Sequence, residues 1–324
     1  DLPIGWFDQQ DNGRYRLQKG ECEALFGYTV GPHSWKKFLY PPARELWTAT
    51  REGCRFAVSE EEHHPPKRAL IGVRSCELHA LAIQDKVLTG GEQVDVFYQQ
   101  SRRNVFIVAV NCTHPGNTCF CSSMKTGPKA VAGFDLSLTE MIESKCHYFV
   151  VEVGSDSGAE MLDCIPNQAA GEKDIRLAAE ALEKAASAIG RSVIMDGVKD
   201  LLYTNFDHLY WGEVANRCLT CGNCTMVCPT CFCVNVEDTT NLTGSQARRL
   251  CRWDSCFTVD FSYIHGGSIR NSDVSRYRQW VMHKLAYWQD QFGTPGCVGC
   301  GRCITWCPAG IDITETAGAF RKRD

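Results

Sequence analysis

Cys218-Leu219-Thr220-Cys221-Gly222-Asn223-Cys224-Thr225-Met226-Val227-Cys228-Pro229 and Cys297-Val298-Gly299-Cys300-Gly301-Arg302-Cys303-Ile304-Thr305-Trp306-Cys307-Pro308 are two copies of one pattern, C-x2-C-x2-C-x3-C-P. This spacing ligates cubane [4Fe–4S] clusters: three thiolates of a short loop bind three irons, and the fourth cysteine reaches across to the other cluster. Cluster one is therefore expected on Cys218, Cys221, Cys224 and Cys307, and cluster two on Cys297, Cys300, Cys303 and Cys228. Structural zinc or a disulfide framework is the competing reading. Zinc sites pair two C-x2-C units across a longer gap, which does not account for four cysteines in one short run, written twice.

Between Cys228 and Cys297 lie 68 residues. This insert contains Asp273–Trp288, whose apolar and aromatic residues recur at intervals of three and four, the period of a buried helix. A mainly α-helical dicluster ferredoxin-type domain over residues 205–324 is predicted. Trp211, Phe232, Trp280, Trp288 and Trp306 would keep water from the clusters or pack as ordinary core. Upstream, Asp174–Ala186 is rich in strong helix formers with one apolar face, and residues 171–204 read as a connecting helix.

Residues 1–170 read as an α/β domain. Ala69–Val73, Phe106–Val110 and Tyr148–Val153 are strand candidates, and Glu77–Leu88 carries apolar residues at helical spacing. Cys76 follows the first of these strands at a helix start. Cys112 follows the second, with Cys119 and Cys121 just beyond. Were the two strands parallel neighbours, Cys76 and Cys112 would emerge at the same C-terminal edge, where open α/β sheets bind ligands. The backbone N–H groups of a helix start there would favour an anionic thiolate-ligated group. A third [4Fe–4S] cluster on Cys76, Cys112, Cys119 and Cys121 is the expectation; one of the C-x-C pair could instead be free, with Cys146 or another residue completing the set. Cys231, Cys233, Cys251 and Cys256 read as packing beside cluster two rather than binding a further metal. The isolated Cys22, Cys54, Cys146 and Cys164 read as core residues.

The chain has 324 residues and 20 cysteines, with 34 Lys and Arg against 38 Asp and Glu, a formal charge of −4. That balance gives no reason to expect nucleic acid or an anionic membrane as partner. No run of 18 apolar residues occurs, so no membrane span is expected, and no secretory leader is visible. So many cysteines without a leader suggest metal ligation in a reducing compartment, hence a cytoplasmic location. Neither a G-x-G-x-x-G after a strand nor a G-x-x-x-x-G-K-[ST] is present, nor a nucleophile-elbow signature. The chain is expected to relay electrons without substrate chemistry of its own, so no catalytic residue is assigned.

The order of features resembles the beta subunit of cytoplasmic sulfhydrogenases, the NADP-linked [NiFe] hydrogenases. It resembles equally the corresponding electron-transfer subunit of anaerobic sulfite reductase. The resemblance rests on Ser34-Trp35-Lys36-Lys37-Phe38-Leu39-Tyr40-Pro41-Pro42, Gly72-Val73-Arg74-Ser75-Cys76-Glu77, Asn111-Cys112 and Cys119-Phe120-Cys121. In the second half it adds the two cysteine runs, Cys228-Pro229-Thr230-Cys231-Phe232-Cys233 and Trp253-Asp254-Ser255-Cys256. It implies an iron–sulfur electron-transfer subunit of a multi-subunit complex. Partners would be the hydrogenase subunits with a flavin/NAD(P)-binding subunit, or a sirohaem sulfite reductase subunit with a flavin/NADH subunit. A cluster-stabilised binding or assembly protein is the reading from another class.

Overall fold

The structure, a computed structural model, describes residues 3–29, 31–60, 64–143 and 146–321. The apolar runs around Ile71 and Ile107 become strands β5 (Arg68–Val73) and β6 (Val105–Val110), which pair in parallel. β6 pairs in parallel with β7 (Leu136–Glu143), and β7 pairs antiparallel with β8 (Cys146–Val153), giving the order β5-β6-β7-β8. Helix α1 (Ser75–Leu88) leaves β5 after a single extended residue, Arg74. It packs Leu78 and Leu81 with Leu70 and Val73 of β5 and Ile107 and Ala109 of β6. Fully burying such side chains is worth about 1.5–3 kcal/mol each. The predicted connecting helix is α2 (Glu172–Ser187), which lies against β7 and β8 and buries Ala178, Leu182 and Ala185.

A hairpin of β1 (Trp6–Asp11) and β2 (Arg14–Lys19) precedes a second hairpin, β3 (Ala43–Glu52) and β4 (Arg55–Ser59). The insert between the cysteine runs is not helical throughout. It opens with a hairpin, β9 (Val234–Thr240) and β10 (Gln246–Trp253), and β10 pairs antiparallel with β3. The resulting sheet, β4-β3-β10-β9, joins strands from both halves of the chain. The hairpin escapes a sequence reading because β9 is mostly exposed and polar and β10, though half-buried, carries three arginines, so no sustained two-residue apolar alternation marks it.

Beyond Trp253 the regular elements of the second half are all helices, among the described residues. The long predicted helix is α3 (Asp273–Met282), which runs on through a π-helical turn (His283–Tyr287) into Trp288–Phe292. Tyr277, Trp280, Val281 and Leu285 pack there with Trp211, Ile304 and Phe320. Among the described residues no helix is long and apolar enough to cross a membrane. A sheet-rich first half and a helical second half agree with the predicted fold class.

Candidate functional site

Among the described residues, cysteines line three neighbouring cavities. In the first, the parallel pairing of β5 and β6 brings Cys76 and Cys112 to one sheet edge, where they meet Cys119, Cys121, Arg74, Gln10 and a fifth thiol, Cys300. Cys76 is the second residue of α1. The loop bearing Cys119 and Cys121 is tied directly to the second cysteine run. Phe120 N donates to Gly299 O at 2.8 Å, and Thr126 Oγ1 donates to Val298 O at 2.6 Å. Gly299 and Gly301 have φ of +65° and +73°, where side chains are strained. A Cβ at Gly299 would sit 2.7 Å from the backbone of Phe120 and Cys121, and one at Gly301 would strike the Thr118 carbonyl. Both glycines are needed for the two loops to touch.

The second cavity is lined by Cys218, Cys221, Cys224 and Cys307, with Cys303, Phe257, Tyr277 and Trp280. The third is lined by Cys228, Cys297, Cys300 and Cys303, with Phe120, Trp280 and Lys284. Cys228 lies with the loop of the second run and Cys307 with the loop of the first. Cys300 is common to the first and third cavities and Cys303 to the second and third. The three cavities thus form one line, with the Cys228/Cys297/Cys300/Cys303 cavity in the middle.

None of these linings holds a carboxylate; beyond the thiols the second and third are mostly apolar, and the first adds Gln10, Thr29, Arg74, Ser75, Arg302 and Thr305. Clustered thiols without carboxylates are a donor set suited to iron–sulfur clusters. Burial pushes the thiols of Cys76, Cys119, Cys224 and Cys303 far up, and those of Cys121 and Cys297 to about 12. Free, they would stay protonated; a bound metal deprotonates a coordinating thiol outright. Backbone N–H groups already point at sulfur. Thr220 N reaches Cys218 Sγ at 3.4 Å, Gly299 N reaches Cys297 Sγ at 3.4 Å, and Ile311 N reaches Cys307 Sγ at 3.3 Å. Such bonds tune cluster potentials. Trp280 lines two of the cavities, and Trp306 lines the first. Trp211 and Trp288 are each 1% exposed, in core clusters.

The remaining cysteines divide. Cys231 hydrogen-bonds with Cys228, a residue of the middle cavity's lining, and Cys233 hydrogen-bonds with Cys256, which faces Cys224 of the second cavity and Lys284 of the third. Cys251 is buried on β10 near Arg44 and Tyr40. The core reading of the isolated cysteines is corrected: Cys54, Cys146 and Cys164 are exposed and Cys22 is half-buried. Cys54 sits in the β3–β4 turn, Cys146 starts β8, and Cys164 ends a short helix. Cys146 is no part of the first cavity's lining.

Charged groups around the cavities escape a motif reading. Glu77, fully buried beside Cys76, forms an ion pair with Arg302 and accepts from Ser34 Oγ at 2.8 Å. Arg74 donates to the carbonyls of Phe26, Tyr28 and Asn111 at 2.7, 2.6 and 3.2 Å. Lys36 Nζ donates to Cys228 O at 3.1 Å and Cys231 O at 2.8 Å, with Trp253 beneath it at 3.8 Å. The segments 34–42, 72–77, 228–233 and 253–256, far apart in sequence, thus meet around the middle and first cavities.

A fold that pairs an α/β sheet with two interleaved C-x2-C-x2-C-x3-C-P loops defines an iron–sulfur electron-transfer protein. The 4Fe-4S dicluster domain family matches residues 217–311, and the chain carries two [4Fe–4S] clusters. It is similar to sulfhydrogenase 2 subunit beta of Pyrococcus furiosus (strain ATCC 43587 / DSM 3638 / JCM 8422 / Vc1), 38% identical over 318 residues, covering 96% of this chain and 90% of that protein. The chain belongs to the sulfhydrogenase beta-subunit family. No solved structure matches it.

Proposed function

We propose that this chain is the electron-transfer subunit of a cytoplasmic multi-subunit [NiFe] hydrogenase of the sulfhydrogenase type, lying between the hydrogenase module and a flavin/NAD(P)-binding subunit. Relatedness to a sulfhydrogenase subunit favours this over a sulfite-reducing complex. In this reading Cys218, Cys221, Cys224 and Cys307 hold one cluster, and Cys297, Cys300, Cys303 and Cys228 a second. Cys76, Cys112, Cys119 and Cys121 hold a third. [4Fe–4S] clusters so held exchange single electrons at potentials set by charge, hydrogen bonds to sulfur and exposure.

The observation that carries the reading is the sharing of Cys300 and Cys303 between adjacent cavities, which makes one line through both halves of the chain. The chain's part is to hold the thiols in register. Phe120, Trp280 and Tyr277 keep water out, and the Gly299 and Gly301 contacts lock the N-terminal loop onto the second run. Iron and sulfide analysis of anaerobically purified protein tests this. About twelve irons and twelve acid-labile sulfides per chain are expected, four of each per cubane. A result near eight removes the N-terminal cluster; zinc in place of iron overturns the assignment. In the intact complex, hydrogen-dependent reduction of NAD(P) is expected. Pyridine-nucleotide-dependent sulfite reduction in its place would move the chain to the other complex.

A further inference from the structure

Two lysines are buried at the middle cavity, one from each half of the chain. Lys284 is 4% exposed and Lys36 is 3% exposed. Lys284 lines the cavity itself, and its Nζ donates to Cys228 Sγ at 3.3 Å and to Thr230 Oγ1 at 2.6 Å. It stands in the π-helical turn, a rare element that is frequent at functional sites. Lys36 holds the same loop from the other side through the carbonyls of Cys228 and Cys231. Among the described residues neither ammonium forms an ion pair with a carboxylate; Glu77, the acid near Lys36, is taken by Arg302.

A buried, unpaired ammonium is costly unless something nearby carries negative charge. The groups facing Lys284 are the thiols of Cys228, Cys231 and Cys297, and His283 beside it is held neutral, its pKa pushed by burial down to about 4. The counter-charge these lysines await is that of a thiolate-ligated cluster. Such a cluster is an anion, and taking up one electron makes it more negative, so a fixed cation in a low-dielectric site favours the reduced form. The other two cavities are built differently. The second has no charged residue in its lining. In the first, Arg302 is neutralised by Glu77, and the Arg74 guanidinium is turned to the carbonyls of Phe26, Tyr28 and Asn111 rather than to a sulfur.

We propose that Lys284, with Lys36 behind the same loop, raises the reduction potential of the middle cluster, making them redox-tuning residues of the electron line. The proposal rests on the ligand assignment given above. The step is one-electron reduction of the cluster without bond cleavage, the electron coming from a chemical reductant in the assay.

The test is an anaerobic redox titration of the whole chain with dithionite and mediators, followed by electron paramagnetic resonance. The middle cluster's signal is identified as the one altered by Cys228→Ser. In Lys284→Met that signal is expected to move to lower potential. At the wild-type midpoint the reduced-to-oxidised ratio should fall about tenfold, or about 59 mV for a one-electron couple. The other two signals should stay in place, and Lys284→Arg, which keeps the charge, should restore the midpoint. An unchanged midpoint in Lys284→Met with full iron content overturns the proposal. Should Lys284→Met lose four irons, Lys36→Met decides. That side chain bonds only carbonyls and a ring face, so a lowered midpoint supports the proposal and an unchanged one overturns it. Failure of the ligand assignment shows separately, as wild-type protein without iron or as Cys228→Ser altering no signal, and it takes the proposal with it.

Discussion

The thiol of Cys119 donates to the carbonyl oxygen of Cys300 at 3.7 Å, across 181 positions of sequence. Cys119 belongs to the N-terminal group of cysteines and Cys300 to the middle of the second run. Their contact is where the two halves of the chain share one cysteine-lined surface, and the effects of substitution follow from it.

Cys228→Ser is expected to damage the cluster beside Cys297, Cys300 and Cys303 while sparing the one beside Cys218, Cys221 and Cys224. The reason is the placement of Cys228 in the lining of the middle cavity. Comparing the resonance signals of wild type and variant decides this. Loss of the Cys218-loop signal instead would show that each run closes on itself.

Cys112→Ala is expected to lower the iron content from about twelve to about eight per chain. Both ferredoxin-type signals should remain, because Cys112 lines only the first cavity. In the complex, hydrogen-dependent NAD(P) reduction should fall while each partner's dye-linked half-reaction persists. Unchanged turnover with the cluster gone would make that site a side branch.

Gly301→Ala places a methyl group against the Thr118 carbonyl at a φ of +73°. The left-handed conformation alone costs about 1–2 kcal/mol for a residue with a Cβ, and the clash adds to it. A lower unfolding midpoint is expected under anaerobic conditions, with increased protease cleavage in the 112–126 loop that rests on this glycine. Gly212→Ala is the control: it lies within the helix Tyr210–Ala215 and a Cβ there meets nothing, so it should hold the midpoint or raise it slightly, by the equivalent of up to about 1 kcal/mol, and leave cleavage unchanged.

Glu77→Gln leaves the Arg302 guanidinium buried without its counter-charge. Breaking one side of a buried pair costs about 3–5 kcal/mol, so a drop in thermal midpoint is expected. The double variant Glu77→Gln/Arg302→Met, which removes the stranded charge, should recover part of the loss. If the single variant melts like wild type, the pair contributes nothing to stability.

The eight cysteines of the two runs are legible because their spacing is local chemistry: three thiols within seven residues of a tight loop can face one cube, and a cysteine a few residues further on enters the next turn. The parallel strands behind Cys76 and Cys112 are legible for a similar reason, since short apolar runs followed by helix-period residues form βα units. Tertiary structure decided the rest. Cys300 and Cys303 serve two cavities each, and Lys36 meets the Cys228 loop 192 positions away. The β9–β10 hairpin completes a sheet begun near residue 43. Contacts at such separations are set by strand pairing and helix packing, which leave no period in the chain. A largely polar hairpin, one strand mostly exposed and the other half-buried, lacks even the alternation that marks a strand, and a buried lysine reads, in sequence, like any surface one.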